Sequence, residues 1–370
     1  MVASHHIILP SSLQIAHGFD HFSLTGFSPI SSQLIICGLN DQPAKLAIWQ
    51  GSVYVPLSWY RVAQTQLDCV ANGERGFVSS LSRDGKYLAV IFASIQKDSS
   101  EFIQHYAAVI CLHPFSFSFQ ALNHRLKWFA KITQLAETRI GWVYVRYETP
   151  PRWKFFRRTW TANDKRTNVY KLDTEGKITP VLLASFDYYP HVAISEDKVV
   201  LCNSSQLHVF ELESRKSCIY RNDKELEHRL IPMAKSQKVY ILHPSSFRSR
   251  TSELSRVEFE HDLTWFKHRV GFVDGFAEAG RNVCADLKGD RLVSLEMAKT
   301  PKRLILSVCH VVVPSLKQMA TLTIQKRFGL VKNVALASNT VQSWYSGMEL
   351  DQARRLVKNA YKNADLLKFS

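Results

Sequence analysis

What this sequence lacks narrows it first. No stretch reaches about 18 apolar residues, so nothing in it reads as a membrane-spanning helix. Its seven cysteines, at 37, 69, 111, 202, 218, 284 and 309, are odd in number, widely spaced and free of any C-x-x-C pair. That excludes a disulfide framework or a zinc cluster and fits the reduced thiols of an intracellular protein. Met1–Pro10 holds only Ile7, Ile8 and Leu9 as an apolar run and lacks the order of a signal peptide, so the expected location is cytoplasm or nucleus. Proline and glycine are scarce, 13 and 15 in 370 residues, while 46% of the chain is hydrophobic and 11% aromatic. Such a chain is ordered and able to bury a large core.

Catalytic signatures are missing as well. The sequence contains no G-x-S-x-G elbow, no H-E-x-x-H pair and no G-K-[ST] loop. Gly271, Gly275 and Gly280 lack dinucleotide-fold spacing and read as turn residues, and His5, His6, His191, His261 and His268 are scattered without ligand spacing. The expectation is therefore a chain with no cofactor and no metal that makes and breaks no bond. Carboxylates such as Asp20 and Asp41 have no separation that sequence fixes, which leaves a propeller-type hydrolase as an alternative.

What the sequence does have is a recurring strand module. FSPISSQLIIC at Phe27–Cys37, LSRDGKYLAVIF at Leu81–Phe92 and ISEDKVVLC at Ile194–Cys202 each join turn residues to a β-branched or alternating run. Echoes follow at Ala136–Tyr147, Ala234–Leu242 and Asp286–Leu295. Intervals of roughly 40 to 60 residues, each with room for several strands, point to propeller blades. The fold expected over residues 1–312 is thus mainly β, a propeller of six or seven blades; two stacked sandwiches would explain the strands but not their recurrence. Ala47–Gln50 and His208–Leu212 resemble the third strand of a WD-repeat blade, with Trp49 and Phe210 at the Trp position, although no Trp-Asp dipeptide accompanies them. The resemblance implies a divergent WD-like propeller.

After this the pattern changes. Leu316, Met319, Leu322 and Ile324 share one face of a predicted three-turn helix opened by Pro314 and Ser315 and closed near Gly329. Residues 313–346 resemble the SOCS box, the module by which substrate receptors of cullin–RING ubiquitin ligases hold Elongin C. The resemblance places Elongin C contact at Leu316, Met319, Ala320 and Ile324, and cullin contact at Val334, Leu336, Val341 and Tyr345. The prolines expected at 335 and 337 are absent here, and Ala320 replaces the commoner Cys. An amphipathic helix closing a globular core fits the same letters. Residues 347–370 read as a further amphipathic helix, with a basic face carrying Arg354, Arg355 and Lys358.

The net charge of +15, from 47 Lys and Arg against 32 Asp and Glu, favours acidic partners. Its densest expression is Pro150–Arg166, where Arg152, Lys154, Arg157 and Arg158 interleave with Trp153, Phe155 and Phe156. A solvated hairpin is the first reading, a surface for acidic protein partners the second, and nucleic acid the last. Taken together, the residues and the resemblance describe a substrate-recognition subunit of a cullin–RING ubiquitin ligase, with Elongin B/C and a cullin as partners and no membrane involved. The alternatives are a propeller scaffold with structural C-terminal helices, or a nucleic-acid-binding propeller.

Overall fold

Leu34–Cys37, Leu88–Ala93 and Val199–Cys202 are apolar at every consecutive position and almost wholly buried. Successive residues of a strand point to opposite faces, so such a strand needs cover on both sides. A ring of sheets packed face to face supplies it. The computed structural model describes residues 4–9 and 19–311, apart from 55–57, 68, 70, 96–101, 118, 128–129, 149–164, 175–177, 204, 222–228, 233–237, 245–250, 260–264, 275–281 and 300–301.

Strand β1 (Ser4–Ile8) comes first but belongs to the last sheet. The first blade is β2 (His21–Phe27), β3 (Leu34–Asp41), β4 (Ala44–Gly51) and β5 (Tyr60–Gln66). The second is β6 (Phe77–Leu81), β7 (Tyr87–Ile95), β8 (Phe102–Leu112), the short β9 (Phe115–Ser116) and β10 (Phe119–Lys127). The third is β11 (Ala130–Thr138), β12 (Gly141–Glu148), β13 (Arg166–Asp173) and β14 (Thr179–Asp187). The fourth is β15 (His191–Ile194), β16 (Lys198–Cys202), β17 (Gln206–Glu211) and β18 (Ser217–Arg221). The fifth is β19 (Arg229–Pro232), β20 (Lys238–Pro244), β21 (Thr251–Phe259) and β22 (Trp265–Asp274). The sixth sheet is β23 (Val283–Ala285), β24 (Arg291–Lys299) and β25 (Lys302–His310), completed by β1.

All pairings are antiparallel, and the first strands touch one another in a closed circuit, β2 to β6, β11, β15, β19, β23 and back to β2. This is a β-propeller. Five of the six recurring segments fall on the turn between first and second strands and on the second strand itself, the described part of the sixth lies on the second strand β20, and the segments likened to third strands are β4 and β17. Among the described residues there is no α-helix, hence none long and apolar enough to cross a membrane. The predicted helices of 313–346 and 347–370 lie outside the described residues.

Six apolar clusters hold the ring, one at each junction between neighbouring blades. In β3, Leu34 and Ile36 pack toward the sixth blade while Ile35, Cys37 and Leu39 pack toward the second. Trp49 is the largest side chain of the first junction; Phe19 meets it edge-on at 4.8 Å, and a Cβ on Gly38 would stand 2.7 Å from its ring. No disulfide joins the seven cysteines, three of which (Cys37, Cys202 and Cys309) are fully buried.

The turns between first and second strands have their own chemistry. Ser82 Oγ donates to Asp84 Oδ1 at 2.6 Å, the Lys86 amide donates to the same oxygen at 3.0 Å, and Gly85 supplies the positive φ the turn requires. In the fourth blade the buried Lys198 ammonium meets Asp197 at 2.6 Å, and in the sixth Arg291 Nε meets Asp286 at 2.7 Å. Arg291 also donates to Tyr54 Oη at 3.0 Å, tying the sixth blade to the first.

Closure depends on β1, whose five residues pair with β25 from Ser4 opposite Cys309 to Ile8 opposite Ile305. Removing residues 1–9 leaves β25 as an open edge. We expect the truncated chain to melt at least about 5 °C lower and to associate with rising concentration. Circular-dichroism melts and size-exclusion chromatography check this; unchanged melting and monomeric elution would show that β1 does not close the ring.

Candidate functional site: a polar channel and its charged mouth

The first strand of each blade has no neighbour on its inner side, so its backbone amides and carbonyls face the axis of the ring. Five of these strands, β2, β6, β11, β15 and β23, line a cavity of about 150 Å³. Two carry β-bulges within that lining, at Thr25 in β2 and at Thr133 in β11. A bulge turns a side chain that regular pleating would aim elsewhere. Thr25 Oγ1 is 2.6 Å from Ser79 Oγ, which lies 2.9 Å from Ser23 Oγ, so a chain of hydroxyls crosses from the first blade to the second. Behind it the Cys37 thiol accepts from Thr25 at 3.4 Å, and burial pushes that thiol up to about 11.

One end of the cavity is charged. Arg83 follows β6, Glu137 lies near the end of β11, and Glu196 follows β15. Arg83 reaches past the third blade to the fourth, with its guanidinium 3.0 Å from the Glu196 carboxylate. Its backbone amide donates to Glu137, while Arg139 Nε meets Glu196 at 3.3 Å. Three blades are thereby linked across the mouth by two guanidiniums and two carboxylates.

Apolar side chains stand exposed at this same end. Ile30 in the β2–β3 turn is 68% exposed, and Tyr60, Tyr87 and Phe115, at 49%, 45% and 43%, lie where third and fourth or first and second strands join. The patch crosses a blade boundary, for a Cβ on Gly85 would stand 2.7 Å from Pro29 and 3.6 Å from Ile30.

The opposite end has a smaller polar feature. His21 Nε2 is 2.9 Å from Asp41 Oδ2, and Asp41 Oδ1 accepts from the Gly73 amide at 3.0 Å. Gly73 is needed there, because a Cβ would lie 2.3 Å from the imidazole. The hydrogen bond to Asp41 raises the His21 pKa above its ordinary value against the opposing effect of burial, with Asp20 and Glu74 adding smaller pulls in the same direction. Among the described residues no group of three or more His, Cys, Asp or Glu side chains could hold a metal.

Of the candidate site residues singled out from sequence, only the carboxylates Asp41 and Asp20 are among these, gathered at His21. Leu316, Met319, Ala320, Ile324, Val334, Leu336, Val341 and Tyr345 lie outside the described residues, as do Arg152, Lys154, Arg157 and Arg158. Sequence reasoning passed over Arg83, Glu137, Arg139 and Glu196, although each sits inside a recurring segment: LSRDGKY, AETRIGW and ISEDKVV. The signal was a charged residue in each polar turn that precedes an apolar second strand.

No protein-family model matches the chain, and no curated protein matches it, so neither the WD-repeat nor the SOCS-box resemblance gains support. Solved structures of similar fold include an α-L-arabinanase of Penicillium chrysogenum complexed with arabinobiose, at 11% identity and a TM-score of 0.46, covering 82% of this chain and 96% of that one. An ACO/RPE65 chimera matches at 9% identity and 0.41, over 70% of this chain and 59% of that one. Prolyl oligopeptidase B of Galerina marginata matches at 14% and 0.39, over 76% and 42%. The expectation of a chain that makes and breaks no bond is not upheld, since an arabinanase and a prolyl oligopeptidase are among these matches; at such identities the likeness is one of fold alone and transfers no activity to this chain.

The His21–Asp41 pair gives a pH signature. Because the folded pKa of His21 is raised, its contribution is fully present below the ordinary value of about 6.5 and is lost as pH rises through the folded value. Asp41→Asn keeps an acceptor for Gly73 and removes the charge. We expect it to cost about 1 kcal/mol below pH 6 and progressively less above pH 6.5. Urea unfolding of both proteins from pH 5 to 9 checks this, and a difference that does not vary with pH would refute the pairing.

Proposed function

We propose that this propeller is a protein-interaction platform that receives its partner on the end where the channel mouth opens. The observation that carries the reading is the exposed set Ile30, Tyr60, Tyr87 and Phe115, standing on two adjacent blades at the same end as the Arg83–Glu196 rim. Exposed apolar and aromatic side chains next to charged ones are what protein interfaces enrich, and a few such anchors carry most of the affinity. The turns that hold Ile30 and Tyr87 are short and fixed by hydrogen bonds, so little conformational entropy is lost there when a partner settles.

A finer reading rests on the sequence beyond the propeller. Val311 donates its amide to Asp290 at 2.8 Å, so the chain leaves the sixth blade at this same end. From there Leu316, Ala320 and Ile324, at i, i+4 and i+8, have the spacing of a helix that docks Elongin C in a groove, with Met319 beside them. In this reading the platform presents a bound protein to ubiquitin transfer, in cytoplasm or nucleus, by raising its effective concentration near the ligase.

Two experiments test these readings. A photo-reactive residue placed at Tyr87 or Phe115 should cross-link a defined partner in cells, and Ile30→Asp should reduce that product at least tenfold while a residue placed at Ser205, exposed at the opposite end, yields none. Equal labelling from all three positions would sink the platform reading. For the finer one, purified Elongin B/C should be retained by the full chain and lost with a folded Leu316→Ser variant; no retention by the parent chain sinks it.

A further inference from the structure

The channel has features that a protein-binding face does not require. Its cavity is about 150 Å³, several times the roughly 30 Å³ share of one liquid water, so it has room for a molecule of several non-hydrogen atoms. Among the described residues the only charged groups in its lining are Arg83, Glu137 and Glu196, all at the mouth. With Arg139 they balance, two guanidiniums against two carboxylates, and each is already engaged by another member of the set. An ionic ligand would have to displace these pairings or enter a region without countercharge, and burying an unpaired charge is expensive.

What the interior does offer is hydrogen bonding by uncharged groups. Inward-facing strand edges provide backbone donors and acceptors; the hydroxyls of Thr25 and Thr133, the two bulge residues of the lining, are already engaged, by Ser79 at 2.6 Å and by the Val145 carbonyl at 3.3 Å. The side chains of Ser80 and Gln134, also in the lining, have no hydrogen-bond partner among the described residues. Gln134 presents both an amide donor and a carbonyl acceptor, and Ser80 a hydroxyl that serves as either. A ligand that satisfies such a wall must itself carry several groups that donate and accept without charge. Bulk water does so loosely; a molecule with hydroxyls on successive carbons does so with one loss of translational freedom for many bonds.

We infer that the channel is a binding site for a small uncharged polyol of about three to six carbons, oriented by Ser80 and Gln134 and entering through the Arg83–Glu196 mouth. The site is independent of the interaction face, since neither free side chain belongs to the exposed patch.

Saturation-transfer NMR on the full chain, with glycerol, xylitol and myo-inositol as neutral probes and inorganic phosphate and putrescine as charged ones, tests this. We expect transfer to at least one neutral probe in the millimolar range and to neither charged probe. Gln134→Leu and Ser80→Val, each melting as the parent does, should weaken that probe at least tenfold, the loss of about one well-made hydrogen bond. Ile30→Asp should leave it unchanged, which separates failure here from failure of the interaction face. Transfer to no neutral probe, preference for a charged one, or affinity untouched in both cavity variants would overturn the assignment; should one variant fail to fold, the other carries the test.

Discussion

Everything in this molecule depends on strands that water cannot approach from either side. A sheet with one wet face can stop anywhere, whereas β3, β7 and β16, apolar at successive positions, oblige every blade to have two neighbours. A row of such blades ends in two uncovered faces. Bending the row until the ends meet removes both, and the six junction clusters record that solution. The axial cavity is a by-product of the same bending, because the first strands converge without pairing.

That geometry also separates the two ends of the channel. First strands run toward the mouth, so the turns that follow them bring Arg83, Arg139 and Glu196 together, while the residues that precede them place His21 by Asp41 at the far end. The mouth combines charge with exposed aromatic area. The far end is a compact dyad braced by a backbone amide.

Much of the architecture was legible in the sequence, for a physical reason: each recurring segment pairs polar turn residues with a largely apolar strand, and both signals are local. Trp49 and Phe210 could be assigned to third strands on the same basis. The candidate site was not legible. Arg83 and Glu196 are 113 positions apart, and no local pattern says that the second and fourth blades come within hydrogen-bond reach across the third. The bulges at Thr25 and Thr133 are one-residue offsets of pairing register, visible only once the partner strand is in place. Strand β1 escaped for a related reason, since SHHII is too short to announce itself and its partner lies at the other end of the ring.

Splitting the last sheet between the two ends of the propeller has a consequence in time. On a ribosome β1 emerges first, but β25 follows only after nearly all of the ring has been made, an interval of about 15–60 s at ordinary rates of synthesis. Through that interval the earlier blades can stack on one another while the circle stays open. The oldest strand of the ring is thus the last to find its place, and the ring becomes a single cooperative body only when its two ends are clasped.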